Sequence, residues 1–163
     1  MPPEGWLPLT AQLSLWDDWL PPLVELGITR IIPVVYGRSE YEPRKTAAKR
    51  ERWERLILAA CEQSHRSTLP VLEDPVPFSV LPKVETPQRW VAYELQTGAS
   101  NPALEGGPLA FTSGPEGGIT DAEFGALHAA GWRPVSLGRS ILRAVTTPVA
   151  LLGAIQMDLG RRT

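Results

Sequence analysis

The sequence has 163 residues, of which 43% are apolar and 21% charged, and its formal charge is −2. That length accommodates one domain with a sizeable core, and the near-balanced charge excludes the strongly acidic or basic disordered classes. The single cysteine, Cys61, excludes a disulfide framework and a cysteine zinc cluster.

Residues 1–11 read as a proline-rich lead and residues 12–163 as a single domain. The N-terminus lacks the basic start and small-residue cleavage site of a signal peptide, and no apolar run approaches the roughly eighteen residues that cross a bilayer. A cytoplasmic protein with no membrane contact is expected. Pro21-Pro22 argues against a long first helix, because each proline removes a donor and crowds the preceding turn. A short helix with Asp18 as N-cap, Pro21 in its first turn and Gly27 at its end is expected instead. The β-branched run Ile28 to Tyr36 then reads as a strand buried on both faces.

Thr46 to about Gln63 carries the clearest helical period: Ala48, Trp53, Leu56, Ile57, Ala60 and Cys61 form one stripe, with the charges largely off it. Cys61 therefore belongs to the core. Between residues 67 and 88, five prolines permit a short strand near Val71 and one helical turn near Phe78. Trp90–Leu95 and Leu109–Thr112 read as strands. Thr120 with Glu123 forms a capping box for a helix that ends at Gly131, and Val135–Leu137 is a further short strand. Thr147 caps a last helix with Pro148 at its first position. Strands alternating with helices define the α/β class, with a mainly parallel sheet flanked by helices.

Charge is unevenly spread: residues 44–66 hold seven basic and three acidic groups, and residues 119–163 hold five and three. Such islands serve either as solvated helix faces or as contacts to a polyanion, since binding follows the local field rather than the net charge. Glu51, four residues before Arg55, favours the solvated face for the first island. His65 and His128 share no metal-ligand spacing with a carboxylate, so no metal is expected.

In open α/β sheets, ligands bind beyond the carboxyl ends of the strands. Three turns occupy such positions: Glu94-Leu95, Ser113–Gly118 and Gly138–Arg143. Glycines at 114, 117 and 118 allow a backbone to approach a ligand closely, although GPEGG is equally a tight turn feeding a capped helix. The spacing matches neither the dinucleotide nor the P-loop fingerprint.

These segments resemble the small-subunit ribosomal RNA methyltransferase E family, the uridine-N3 branch of the SPOUT methyltransferases. The likeness rests on GPEGG (114–118) with Thr120 and Glu123 behind it and on SLGRSILR (136–143). Upstream it adds ELGITRIIPV (25–34), Arg38-Ser39, RWERL (52–56) and EQSHR (62–66). It spans roughly residues 12–159. The resemblance implies a C-terminal trefoil knot, a homodimer, and S-adenosyl-L-methionine as cofactor, with ribosomal RNA or the small ribosomal subunit as partner. It implies a cofactor pocket of Glu94, Ser113, Gly114, Gly118, Leu137, Gly138, Ile141 and Leu142. It also implies catalytic roles for Glu116, Arg38 and Arg143 and RNA contacts from Arg66 and Arg139.

The chain departs from the family pattern in several places. The β-barrel RNA-binding domain that usually precedes the knot domain does not appear in this sequence, an expectation of weaker RNA affinity. Gln12-Leu13-Ser14 and Pro21-Pro22 stand where the family carries cations, Val145 and Pro148 fall in a stretch that normally holds a carboxylate, and Ser113 replaces an aliphatic residue. Two readings follow: a uridine-N3 methyltransferase acting on 16S ribosomal RNA, and a knotted dimer that binds cofactor or RNA without turnover.

Overall fold

A computed structural model of the chain describes residues 3–93, 101–137 and 144–162. Among the described residues, seven strands form one sheet: β1 (Pro3–Pro8), β2 (Arg30–Val35), β3 (Val71–Leu72), β4 (Val76–Pro77), β5 (Gln88–Ala92), β6 (Leu109–Thr112) and β7 (Arg133–Val135). Their order is β3-β2-β1-β6-β5-β7, with β4 also on β2, and every pairing among the described residues is parallel. The expected α/β architecture with a parallel sheet flanked by helices is therefore present.

The helices are α1 (Ser14–Glu25), α2 (Pro43–Gln63), α3 (Asp121–Ala129) and α4 (Thr147–Arg162), with a 3₁₀ helix at Phe78–Lys83. Strand residues alternate between two cores. Leu7, Ile31, Leu109 and Phe111 pack with Trp16, Trp19, Trp53 and Leu152 from α1, α2 and α4. Trp6, Ile32, Val34, Val91 and Ala110 pack on the other face with Leu81, Leu127 and Trp132. The period of two along each strand thus builds a three-layer molecule.

Three expectations are corrected. First, the segment expected as a lead forms β1, in the middle of the sheet, where it pairs with both β2 and β6. Its two prolines occupy the first and last positions, where a strand tolerates a missing donor. Its glycine is also required: a Cβ on Gly5 would lie 2.7 Å from Ile28 Cδ1.

Second, α1 starts at Ser14 rather than after Asp18, and Pro21 and Pro22 lie inside it. Each interior proline costs about 3 kcal/mol. Full burial of Trp16, Trp19, Leu20, Leu23 and Val24 contributes about 1.5–3 kcal/mol per large side chain, which outweighs that cost. The end of the helix is as expected: Gly27 adopts φ +91°, and Ile28 N donates to Leu23 O.

Third, α2 begins at Pro43, which serves as its first-turn proline, and Ala48 is exposed rather than part of the stripe. Trp53, Ile57, Ala60 and Cys61 are buried as expected.

Pro33 inside β2 has a local explanation. Ile31 O accepts from Glu73 N, so odd-numbered residues of β2 direct their backbone groups toward β3 and β4. Pro33 falls opposite the break between those two strands, where no ladder partner is due.

Candidate active site

A parallel sheet brings the carboxyl ends of its strands to one edge. At that edge, beyond β5, β6 and β7, lies a cavity of about 410 Å³. Its walls come from Ala92 and Tyr93, from Ser113 to Glu116 with Gly118 and Ile119, from Val135 to Leu137, and from Ala144 and Thr147 at the approach to α4.

The glycine turn is shaped by close packing. Gly118 N donates to Pro115 O at 2.8 Å, and Gly118 has φ +85°, a conformation that side chains rarely adopt. A Cβ on Gly114 would meet Ile119 Cγ1 at 2.6 Å and Ile119 N at 3.0 Å. Beyond the turn, the capping box is present in both directions: Glu123 N donates to Thr120 Oγ1, and Thr120 N donates to Glu123 Oε1. The second oxygen of Glu123 accepts from Gly37 N at 2.8 Å.

That last bond docks the turn after β2 onto the glycine turn. Arg38 Nη1 donates to Gly117 O at 2.6 Å, and a side chain on Gly117 would press against Arg38 Cβ at 3.2 Å. Beneath it, Tyr36 and Thr112 share a buried hydroxyl contact, and Thr112 also donates to Trp6 O. Burial raises the Tyr36 phenol well above the ordinary tyrosine range, so it stays neutral. At the far wall, Ser136 N donates to Asn101 Oδ1 and Asn101 Nδ2 donates to Ser136 O, both at 2.8 Å.

Ser113, Gly114, Glu116, Gly118 and Leu137, all expected from the sequence, line the cavity. Arg38 lies against its glycine wall. Arg66 does not join them. Its guanidinium donates to Val24 O at 3.1 Å and to Ile28 O at 2.7 Å, where it satisfies carbonyls at the end of α1. Ile28 precedes β2, so Arg66 sits at the amino ends of the strands, away from the cavity. Glu94, Gly138, Arg139, Ile141, Leu142 and Arg143 lie outside the described residues.

Pro115 belongs to the expected turn; the cavity also uses Tyr93, a neighbour of the expected Glu94, and Ile119, Ala144 and Thr147, which no expected turn contains. Thr147 reads in sequence only as a helix cap.

The first basic island is a solvated face. Arg50 pairs with Glu54 and Asp74, Arg52 with Asp17, Arg55 with Glu51 and Lys45 with Glu42. Among the described residues no cluster of histidine, cysteine and carboxylate could hold a metal, and both histidines are exposed. No helix of the described residues is long and apolar enough to cross a membrane.

The glycine-walled cavity at the carboxyl edge of a parallel sheet defines a ligand-binding α/β domain. The sequence matches the RNA methyltransferase domain family over residues 13–156, and the chain belongs to that family. It is 35% identical to the ribosomal RNA small subunit methyltransferase E of a Synechocystis species, over 91% of this chain and 53% of that protein. With the Bacillus subtilis protein of the same name it shares 33% identity, over 80% of this chain and 56% of that one. The chain thus spans about half the length of these curated relatives.

Among solved structures, the Neisseria gonorrhoeae methyltransferase E bound to S-adenosyl methionine superposes with a TM-score of 0.81. It is 28% identical, over 96% of this chain and 66% of that one. A putative Legionella pneumophila methyltransferase in complex with the same cofactor has the same fold, with a TM-score of 0.87 at 23% identity, over 96% of this chain and 66% of that one.

Proposed function

We propose that this domain is an S-adenosyl-L-methionine-dependent methyltransferase acting on N3 of a uridine in 16S ribosomal RNA, working as a cytoplasmic homodimer. The observation that carries the reading is the meeting of the carboxyl ends of β5, β6 and β7, with the glycine turn after β6, around one cavity. The methyltransferase names of the relatives favour turnover over a binding-only role. The trefoil crossing belongs to the same proposal, supported by the return of α4 from the edge strand β7 to pack on α1 and β1.

The residues present suit the cofactor. Ser113 is 1% exposed and its hydroxyl has no protein partner, a cost that a polar ligand group would remove. Gly114 and Gly118 keep the wall free of side chains, and Val135, Leu137 and Ala144 offer an apolar surface for a flat ring. When bound, the cofactor supplies a sulfonium methyl group.

The chain's own residues then have two tasks. A uracil N3–H is a weak acid at neutral pH, so its proton must be removed as the nitrogen becomes nucleophilic. Glu116, exposed on the cavity wall, is the candidate base. Arg38, fixed by Gly117 O and by the Gly37–Glu123 bond, is positioned to hold phosphate or to stabilise charge developing on a uracil oxygen. Arg139 and Arg143 are assigned to RNA and to catalysis on the resemblance alone. The test is Glu116→Gln. Cofactor affinity by calorimetry is expected to remain unchanged while kcat falls about a hundredfold or more. Unchanged turnover would remove Glu116 from the mechanism.

A further inference from the structure

Tyr93 follows β5 on the wall of the cavity and is the one aromatic side chain among the described residues that line it. Its ring is held on two sides. Phe124 of α3 stacks face to face on it in a nearly parallel plane, with centroids 3.9 Å apart and an interplanar angle of 9°. The phenol donates to Asp121 Oδ1 at 2.9 Å. Because the acceptor is a carboxylate, this bond raises the Tyr93 pKa and keeps the ring neutral. His128 extends the row, with its ring 5.7 Å from that of Phe124.

A ring backed on one face, fixed at its hydroxyl and still half-exposed beside a cavity is a preorganised stacking surface. Ser113, Pro115, Ile119 and Val135 are the buried part of the cavity wall, suited to an apolar ligand ring, whereas Tyr93 is half-exposed and shares the wall with the exposed Glu116. Proteins that recognise single-stranded RNA splay a base out and stack it on an aromatic side chain, because every base presents a π face.

We infer that Tyr93, backed by Phe124 and anchored by Asp121, is a positioning residue on which a base of the RNA substrate stacks as it enters the cavity. This rests on the proposed function and adds to it the means by which the base is presented.

The test compares wild type, Tyr93→Phe, Tyr93→Trp and Tyr93→Leu on small ribosomal subunits prepared without the modification, with S-adenosylmethionine as donor. The aromatic variants are expected to stay near wild type. Tyr93→Leu is expected to raise KM for the subunit and lower kcat/KM at least about tenfold, with calorimetric affinity for S-adenosylhomocysteine equal in all four proteins. Should Tyr93→Leu fail to fold, Tyr93→Met carries the same comparison. Equal activity of Tyr93→Leu and Tyr93→Phe overturns the inference. So does a loss of S-adenosylhomocysteine affinity in step with activity, which puts the cofactor's adenine on this ring. A wild-type protein that binds cofactor and methylates nothing overturns the functional reading itself, separately from any difference among variants.

Discussion

The two ends of the sheet use similar residues to opposite purposes. At the amino end, Arg66 spends its guanidinium on Val24 O and Ile28 O, and nearby packing is dense, with Ile28 fully buried. At the carboxyl end, Arg38 makes one backbone contact, and around it stand Glu116, Gly117 and Gly118 at the surface or half-exposed. An arginine in a family-like motif is therefore no guide to its use until its partners are known. On the proposed function, Arg66, bonded to two carbonyls, serves the scaffold, and Arg38, exposed beside the cavity, serves the chemistry.

The strongest way to separate the ends is to damage the scaffold alone. Trp53 is 2% exposed and stacks on Trp16 at 4.7 Å, far in the fold from the glycine turn. Trp53→Ala is expected to destabilise the protein by about 3–5 kcal/mol, read by urea unfolding, while cofactor affinity of the folded fraction is retained. Loss of that affinity in the folded fraction would mean that the two ends are coupled.

The paired arginine variants come next in size. Arg66→Ala is expected to cost about 1–2 kcal/mol of stability and leave KM for RNA unchanged. Arg38→Ala should cost under about 0.5 kcal/mol of stability and raise KM for RNA. An exchange of the two results would reverse the assignment. The smallest effect sharpens the same contrast on α2: Glu51→Ala breaks an exposed pair with Arg55, and a change of at most about 0.5 kcal/mol in stability, with no change in RNA affinity, is expected.

What the sequence disclosed follows the reach of the interactions. Gly27, the Thr120–Glu123 capping box and Gly131 act within one turn of chain, so their roles could be read directly. The strand ends were legible for the same reason, and with them Ser113, Gly114, Gly118 and Leu137 on the cavity wall.

β1 was hidden because two prolines and a glycine in six residues resemble a loop, and only its neighbours β2 and β6 make it a strand. The early start of α1 was hidden because tryptophan burial outweighs the proline penalty, a balance no local pattern contains. The fate of Arg66 depends on carbonyls about forty residues earlier, and the support of Tyr93 on a carboxylate 28 residues later.

The cavity borders Tyr93, Ser113, Leu137 and Thr147, and its last wall adjoins Val145, whose carbonyl accepts from Trp19 Nε1 at 2.8 Å. An occupant would bridge stretches of polypeptide that are otherwise joined only through long connections. It would act as a temporary tie-bar between the final helix and the middle of the sheet. Amide exchange in α4 should then slow as the occupant is titrated, because each seated molecule draws population away from frayed forms of the C-terminal region.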